Sequence, residues 1–394
     1  MNKKKEIVPK FRFPKYVNSE QWISTELSSL LDYERPDLYI VESDNYKNEG
    51  IPVLTANKSF ILGYTDEKNN IYSRVPVIIF DDFTTEKKYV DFPFKVKSSA
   101  IKILKPKGNN VLKFVFELMN TINFEAKEHK RYYISTYQKL FVYVPKDVKE
   151  QQNIADCLSS TDDLIDAESR KLKVLEKYKK GLMQKLFPAE GKTLPEWRFP
   201  EFKHCGNWEQ VTLTKVAFYE NGKAHENYIE EYGKYIVVNS KFIATDGEVT
   251  KHSNTANLLA KRGDILMVLS DVPNGRALAK CYFVNENDKY TVNQRICRLR
   301  PYDIDSLFLF YYVNRNKYFL NFDDGVKQTN LKKSDVLACP LLKPKEKREQ
   351  QKIADCLSEI DTMITEQLKK IERLETHKKG LLQGLFPSLE EVDV

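Results

Sequence analysis

The chain has 394 residues, of which 41% are hydrophobic and 12% aromatic, enough to bury two ordinary cores. It has no apolar run of about 18 residues, and its lysine-rich start lacks the apolar stretch of a signal peptide, so we expect a cytoplasmic protein with no membrane span. Six scattered cysteines without a CxxC pair, beside five histidines, argue against structural zinc and a disulfide framework.

The first 149 residues predict a mixed α/β domain. Short runs rich in branched apolar residues at 51–54, 75–80 and 100–104 are typical of strands, and the aromatic stretch 111–120 is predicted to be helical. This segment has 25 Lys and Arg against 19 Asp and Glu. Asp82, Glu86 and Lys88 faintly match a metal-dependent nuclease core, but such spacing arises easily by chance in a chain with 30% charged residues.

Residues 150–188 predict one long helix. Apolar residues recur at alternating spacings of three and four, as in Ile154, Leu158, Ile165 and Leu172. Sustained over four to five heptads, this spacing indicates the seam of a coiled coil rather than the wider apolar stripe of a surface helix. A helix of about 36 residues would be about 54 Å long.

The segment 189–348 predicts a second mixed α/β domain. Strands are expected at 235–238, 264–269, 279–284 and 295–299, followed by an apolar aromatic stretch at 306–319 that is predicted to be helical. The order of elements matches that of the first segment, which suggests one domain type used twice. From residue 195 onwards this segment has 24 Lys and Arg against 19 Asp and Glu. A basic excess in both variable segments favours a polyanionic partner, although solubility alone explains it equally well.

The last long segment repeats the first helix. Residues 349–387 are identical to residues 150–188 at 22 of 39 positions, at a constant offset of 199. A shorter repeat precedes each domain: the Pro-x-aromatic-Arg-Phe-Pro pattern at residue 9 recurs at residue 195, followed in turn by Trp22 and Trp208. The chain is therefore two units, each a variable segment followed by a repeated one.

The two seams are predicted to pack against each other, antiparallel if a pseudo-twofold axis relates the halves. Such pairing would bring Glu168 near Lys378 and Lys179 near Gln367, since both pairs of residue numbers sum to 546. The alternative, that each helix merely covers its neighbouring domain, stays open.

These motifs resemble those of specificity subunits of type I restriction-modification systems. The resemblance covers essentially the whole chain and depends on the paired EQQxIADCLS openings, the paired KKGLxQxLFP endings and the two Pro-x-aromatic-Arg-Phe-Pro starts. The second segment also has the family-like sequences Gly-Asp-Ile-Leu at 263–266, Val-Asn-Gln-Arg at 292–295 and Gly-Val-Lys-Gln-Thr-Asn-Leu at 325–331. The first segment departs from these patterns, so residue-level transfer is weaker there.

The resemblance implies an α/β fold in which two mixed α/β target recognition domains are separated by two long antiparallel coiled-coil helices. The implied boundaries are 1–149 for the first recognition domain, 150–188 for the central helix, 189–348 for the second domain, 349–387 for the distal helix and 388–394 for a tail. Each domain would read one half of a bipartite, asymmetric double-stranded DNA target, with the paired helices setting the gap. The helices would dock two methyltransferase subunits, which restriction-translocation subunits can join. The resemblance implies no cofactor in this chain, with S-adenosylmethionine, ATP and magnesium bound by the partners.

Base reading requires side chains such as Arg, Lys, Asn and Gln on loops, and phosphates are bound by Lys, Arg, Ser and Thr. On this basis the candidates in the first domain are Lys58, Ser59, Lys87, Lys88, His129, Lys130 and Arg131. The candidates in the second domain are Asn239, Lys241, Lys251, His252, Arg276, Gln294, Lys327, Gln328 and Asn330. For any one of them a solvated surface position is as reasonable as a DNA contact.

The sequence offers no anchor for catalysis. It has no GxxxxGK phosphate loop, no Asn-Pro-Pro-aromatic motif of amino-methyltransferases, and no glycine-rich cofactor loop after a strand. Two non-catalytic alternatives stay open: a DNA-binding regulator that acts alone, and a helical adaptor that only holds enzymes together. The paired basic domains argue against the adaptor, and the two similar helices argue against the solitary regulator.

Overall fold

The computed structural model describes residues 7–56 and 59–387, and the predicted tail 388–394 lies outside the described residues. The chain divides into two compact units. Unit 1 comprises the described parts of 1–170 and 368–394, and unit 2 comprises residues 171–367. Each unit therefore contains one α/β domain together with a part of both long helices.

Unit 1 consists of nine strands, one helix and parts of the long helices. Its strands form three sheets, with orders β1-β9, β2-β8-β5-β6 and β4-β3-β7; of the described ladders of this unit, the β3–β7 pair is parallel and the others are antiparallel. The elements are β1 Ile23–Glu26, β2 Leu31–Glu34, β3 Ile51–Leu54, β4 Ile61–Thr65, β5 Val77–Asp81, β6 Lys87–Val90, β7 Lys95–Val96, β8 Ile101–Pro106, α1 Leu112–Thr121, β9 Phe141–Val144 and the start of α2 Val148–Leu186.

Unit 2 has the same topology with one added ladder. Its sheets have the orders β10-β20, β11-β18-β14-β16, β13-β12-β17 and β15-β19, with β12 and β17 parallel. The elements are β10 Glu209–Thr212, β11 Ala217–Asn221, β12 Tyr235–Val238, α3 Ser240–Ala244, β13 His252–Ser253, β14 Ile265–Val268, β15 Ser270–Asp271, β16 Cys281–Phe283, β17 Tyr290–Val292, β18 Ile296–Pro301, α4 Ser306–Val313, α5 Lys317–Leu320, β19 Thr329–Asn330, α6 Lys333–Leu337, β20 Pro340–Lys343 and α7 Lys347–Leu385.

The repeated topology confirms the predicted fold class, in which one mixed α/β domain occurs twice beside two long helices. One predicted element is wrong in detail, because 306–319 is not a single helix. The chain leaves α4 at Asn314, Arg315 adopts a positive φ of 57°, and the Asn316 side chain caps α5 by accepting a hydrogen bond from Tyr318 N. A left-handed residue cannot continue an α-helix, so the apolar stretch turns between its two halves.

The repeated sequence motifs build the same buried junction in each unit. In unit 1 the Glu150 carboxylate accepts two hydrogen bonds from Arg12, both at 2.8 Å, and one from Trp22 Nε1 at 3.2 Å. In unit 2 Glu349 accepts the equivalent bonds from Arg198, both at 2.7 Å, and from Trp208 Nε1 at 3.2 Å. Both carboxylates are 1% exposed. The Arg-Phe-Pro start, the tryptophan and the first residue of EQQ therefore fix each domain to the beginning of its own long helix.

The first glutamine of each EQQ motif serves as a second connector. Gln151 accepts a hydrogen bond from Val111 N at 3.1 Å, directly before α1, and Gln350 accepts one from Asp305 N at 2.7 Å, directly before α4. Each also donates through Nε2 to the carbonyl of the proline that precedes its helix, at 3.4 Å and 2.7 Å respectively. The motif thus orients the domain's own helix against the long helix.

The two long helices run antiparallel within each unit, but their register differs from the prediction. In unit 1 Lys378 pairs with Asp162 at 2.6 Å and Lys370 with Glu168 at 2.5 Å. In unit 2 Lys179 pairs with Asp361 at 2.5 Å. The predicted pairings of Glu168 with Lys378 and of Lys179 with Gln367 are therefore wrong by six to eight residues. An apolar pattern that repeats every seven residues tolerates such a shift, whereas the ion pairs select one register.

The end of each long helix packs into a domain core. In unit 1 Leu385 and Phe386 join a cluster with Trp22 and Phe114. In unit 2 the buried Leu186 belongs to the cluster around Trp208 and Phe308. The repeated Leu-Phe-Pro endings therefore supply core residues as well as a helix stop. None of the helices in the described part of the chain is long and apolar enough to cross a membrane.

Candidate nucleic-acid interface

Three loops of unit 2 meet at the carboxyl end of β14. Leu269 N donates to Arg295 O and Leu331 N donates to Leu269 O, both at 2.8 Å, while Ser270 pairs with Asn330 across the β15–β19 ladder. The loops 270–279, 293–296 and 323–331 are therefore adjacent. This arrangement brings together five residues predicted from the sequence to bind DNA: Arg276, Gln294, Lys327, Gln328 and Asn330.

The loop that carries Arg276 is fixed from inside by the Asp271 carboxylate. This group accepts hydrogen bonds from Val272 N at 2.8 Å, Ala277 N at 2.6 Å and Leu278 N at 3.1 Å. Gly275 is required here, because an added Cβ would collide with the same carboxylate. The backbone is thereby held in place while the exposed Arg276 side chain stays available for a ligand.

The neighbouring loop 323–328 is held in a similar way. Asp323 accepts hydrogen bonds from Asn274 N at 3.1 Å and Gly325 N at 3.0 Å, which ties it to the Arg276 loop. The Asp324 carboxylate accepts from Val326 N and Lys327 N, and these two backbone hydrogen bonds lower its pKa. The acidic residues therefore act on backbone amides, and Lys327 and Gln328 are left exposed.

Gln294 lies on the loop 293–296, and its side chain already has a hydrogen-bond partner. Its side-chain amide donates to Glu226 Oε1 at 2.6 Å. The pKa of Glu226 is lowered, chiefly by a hydrogen bond from its own backbone amide. A base edge that approached Gln294 would have to replace or share this contact.

Sequence reasoning missed the buried histidine behind this loop. His225 is fully buried; its Nδ1 donates to Lys223 O at 2.7 Å and its Nε2 accepts from Asn257 N at 3.3 Å and lies 2.9 Å from the Thr291 hydroxyl. Its backbone amide donates to Asn293 Oδ1 at 3.1 Å. His225 thus holds the side chain of Asn293, the residue before Gln294, in place. A lone histidine among polar residues gave no sign of this role.

The remaining candidates of unit 2 lie around β12, α3 and β13. Asn239 caps α3, since its side chain accepts a hydrogen bond from Phe242 N at 2.9 Å. Lys241 and Lys251 are exposed, whereas His252 is half-buried in β13. Lys280 donates to Ala244 O at 3.0 Å, which joins the end of α3 to the segment that follows Arg276.

In unit 1 two loops meet around Asp82. Its carboxylate accepts a hydrogen bond from Tyr133 N at 2.7 Å and lies 3.1 Å from Lys102 Nζ, and its carbonyl accepts from Tyr132 N at 2.8 Å. Asp82 is 1% exposed. It is therefore a structural anchor occupied by protein donors, which removes the basis for a magnesium site with Glu86 and Lys88.

This anchor brings the turn after β5 against the predicted His-Lys-Arg segment. The Phe83 ring stacks on His129 with centroids 4.7 Å apart and planes inclined by 11°, and the Arg131 guanidinium lies 5.9 Å from the same ring. Lys130 forms an exposed ion pair with Glu128 at 2.7 Å. The Phe83 ring therefore orders the side chains of His129 and Arg131. This role of Phe83 was not predicted from the sequence.

The other candidates of unit 1 are less grouped. Lys87 and Lys88 lie in β6 opposite Phe80 and Ile79, not in a turn, and burial lowers the pKa of Lys87. Ser59 is exposed, and Lys58 lies outside the described residues. Within the described residues no group of three or more His, Cys, Asp or Glu is arranged to hold a metal ion.

The chain is similar to known specificity subunits. Residues 206–376 match the family model of the type I restriction modification DNA specificity domain. The chain is 35% identical over 252 residues to the type I restriction enzyme EcoR124I/EcoR124II specificity subunit of Escherichia coli, covering 60% of this chain and 61% of that protein. It is 26% identical over 264 residues to the type I restriction enzyme MjaVIII specificity subunit of Methanocaldococcus jannaschii, covering 61% and 60%. The match thus spans about three fifths of each curated relative.

The fold is also that of a solved relative over nearly its full length. The type I restriction-modification S subunit from M. genitalium aligns with a TM-score of 0.65 and 17% identity, covering 97% of this chain and 99% of that one. A structure described for complex assembly and conformational transition of the type I R-M system aligns with a TM-score of 0.54 and 14% identity, covering 93% and 98%. The resemblance that the sequence motifs suggested is confirmed.

Proposed function

We propose that this chain, a specificity subunit of the type I restriction-modification family, directs a DNA methyltransferase complex to a bipartite, asymmetric target in double-stranded DNA. Each recognition domain reads one half-site, and the antiparallel helices set the gap between the halves. The chain has no catalytic role of its own. Two methyltransferase subunits dock on the helices, and restriction-translocation subunits join them in the cytoplasm. S-adenosylmethionine, ATP and magnesium belong to those partners.

One observation supports this proposal most directly: the two units share a frame and differ in their loops. The Arg12 and Arg198 junctions make the same three hydrogen bonds to their glutamates, and the nine strands of unit 1 have the same order as their counterparts in unit 2. In contrast, the loops at the candidate interfaces share neither residues nor anchors, with Asp82 in unit 1 and Asp271 in unit 2. A constant frame with variable exposed loops suits a protein that reads two different sequences.

The loops of unit 2 have the chemistry for base reading and phosphate contact. Arginine can bind guanine through two hydrogen bonds, asparagine and glutamine can bind adenine in the same way, and lysine neutralises phosphates. Arg276, Lys327, Gln328 and Asn330 are exposed on adjacent loops whose backbones are fixed by the half-buried carboxylates of Asp271 and Asp323. A loop fixed before binding loses little entropy on contact with DNA.

The test is a methylation map of DNA from cells that express this chain with its neighbouring methyltransferase, compared with cells that express the methyltransferase alone. We expect a two-part asymmetric motif that appears only in the presence of this chain. If both proteins are soluble and associated but no new motif appears, the adaptor alternative is favoured. If the purified chain alone binds a target tightly and no methylation follows, the solitary regulator is favoured.

Single substitutions test whether the loop that carries Arg276 contacts a base of the target. Arg276→Ala should weaken binding to the target by about 1–3 kcal/mol and relax the preference at one base pair, if it reads a base. Arg262→Ala is the matched control, because Arg262 is an exposed arginine of the same unit at the opposite end of β14. Fluorescence anisotropy with the mapped duplex measures both affinities at fixed salt. Equal affinities for the two variants would contradict the assignment of this loop.

A further inference from the structure

The repeat within the chain allows two copies of one helix to be compared in the same molecule. Many of the identical positions have a structural reason in both copies. Leu186 and Leu385 are buried in the cores of their units. Lys179 and Lys378 form equivalent ion pairs with Asp361 and Asp162. Such positions are conserved between the copies because the fold requires them.

The exposed positions divide into two groups. Of the 16 aligned pairs that are exposed in both copies, ten have different residues and six are identical. Gln152 donates to Asp156 at 2.7 Å, and Gln351 makes the same bond in the other copy, so two of the identities have a local partner. In the third pair, Lys171 and Lys370, the ion pair of Lys370 with Glu168 gives one of the two copies a local partner.

The other three identities are Glu176, Lys180 and Gln184, which recur as Glu375, Lys379 and Gln383. Residues four apart lie on one face of a helix, so each set forms a polar stripe about 12 Å long. Within the described part of the chain none of the six side chains has a hydrogen bond or ion pair. Neighbouring exposed positions, such as Lys177 and Thr376, have diverged.

A glycine beside each stripe gives an independent indication. Gly181 and Gly380 lie inside the long helices, and a Cβ added to either would meet only open space. Glycine destabilises a helix interior relative to alanine, so neither helix benefits from it. Its retention in both copies is explained if an atom outside this chain lies directly on the helix backbone.

We propose that each stripe and its glycine form one docking patch for a methyltransferase subunit, which rests on the function proposed above. The patch of unit 2 is Glu176, Lys180, Gly181 and Gln184; the patch of unit 1 is Glu375, Lys379, Gly380 and Gln383. Two identical patches fit two copies of one partner. Segments 150–194 and 349–394 have net charges of 0 and −4, and a glutamate lies in each patch, so a protein fits better than DNA. The partner's own backbone or a small side chain packs on the glycine.

The experiment uses the full chain co-expressed with the methyltransferase and compares Gly181→Ala, Gly380→Ala and the double variant. Native mass spectrometry should give two methyltransferase subunits per wild-type chain, one per single variant and none per double variant. The added methyl group overpacks the contact and weakens binding at that patch about tenfold or more. Thermal unfolding of the isolated chain should shift upwards, because alanine favours the helix. Weaker assembly of a more stable chain is a combination that a misfolded variant cannot produce.

The matched controls are Lys177→Ala and Thr376→Ala, which place alanine at exposed, diverged positions on the same helices. Both should retain two partner subunits. If the glycine variants also retain two, the docking patch is refuted while the proposed function stands. If the wild-type chain binds no methyltransferase subunit at all, the proposed function itself fails.

Discussion

The junction around Glu349 offers a sharp test of how the domain is fixed to its helix. Its carboxylate has three donors: two nitrogen atoms of Arg198 and Trp208 Nε1. Replacement by alanine leaves a guanidinium that is 10% exposed with its Gly206 carbonyl contact alone, at 2.7 Å, and leaves the indole N–H without an acceptor. The Glu349→Ala variant therefore measures how much the contact between the Arg-Phe-Pro start and α7 contributes to the stability of the domain.

The expected loss can be worked from the burial. Removing one partner of a buried ion pair costs about 3–5 kcal/mol, because the remaining charge is neither paired nor solvated. The whole stability of a domain is about 5–15 kcal/mol, so at least about a fifth of it depends on this carboxylate. Glu349→Gln keeps the volume and one acceptor oxygen and should cost about 1–3 kcal/mol. Replacing both Arg198 and Glu349 by methionine removes the unpaired charge and should cost less than Glu349→Ala.

Hydrogen exchange measured by mass spectrometry under native conditions suits a chain of two units, since a single global unfolding free energy is not defined for it. Peptides of β10, β20 and the start of α7 should lose protection in Glu349→Ala, while peptides of β1 and β9 in unit 1 act as the internal control. The reasoning is refuted if Glu349→Ala costs less than about 1 kcal/mol. It is also refuted if the double methionine variant loses as much protection as the single one.

Three further predictions follow from single contacts. Asn239→Ala should cost about 1 kcal/mol as a lost helix cap, and Asn239→Asp should preserve stability, so DNA binding by the aspartate variant separates capping from base reading. Cysteines at 162 and 378 should crosslink, with Cys157 and Cys356 replaced by serine, whereas cysteines at 168 and 378 should not. Burial lowers the pKa of Lys87, so the charged form is disfavoured in the fold; Lys87→Met should raise thermal stability at neutral pH, and the gain should shrink as pH rises through the lowered pKa.

Elements with strong local patterns could be predicted from the sequence. The strand at 51–54 and the strand at 235–238 have the predicted bounds, and the long helices begin at Val148 and Lys347, two residues before the repeats. The register of the helices could not be read from their apolar pattern. It depends on single ion pairs, such as Lys179 with Asp361, that join residues 182 positions apart. The break at Arg315 does have a sequence signal, because the polar residues 314–317 interrupt the apolar stretch between α4 and α5.

The candidate site, too, could be predicted from the sequence only in part. Loops rich in polar residues could be identified as candidates, but their convergence depends on contacts between distant residues, such as Asn274 with Asp323. The same contacts show which side chains are occupied: Asn239 by a cap and Gln294 by Glu226. Residue type alone cannot separate a side chain that holds a loop from one that the loop presents.

The side chains that hold the loops in place differ from those that the loops present to solvent. The groups that fix the loops, Asp82, Asp271 and His225, act largely through backbone amides and carbonyls; Asp82 and His225 are buried, and Asp271 is half-buried. The outward side chains, such as Arg276 and Lys327, contribute nothing to these hydrogen bonds. Their replacement therefore leaves the loop and the Arg198 junction intact. Under the proposed function, new sequence preferences can therefore arise at the loops while the long helices stay the same.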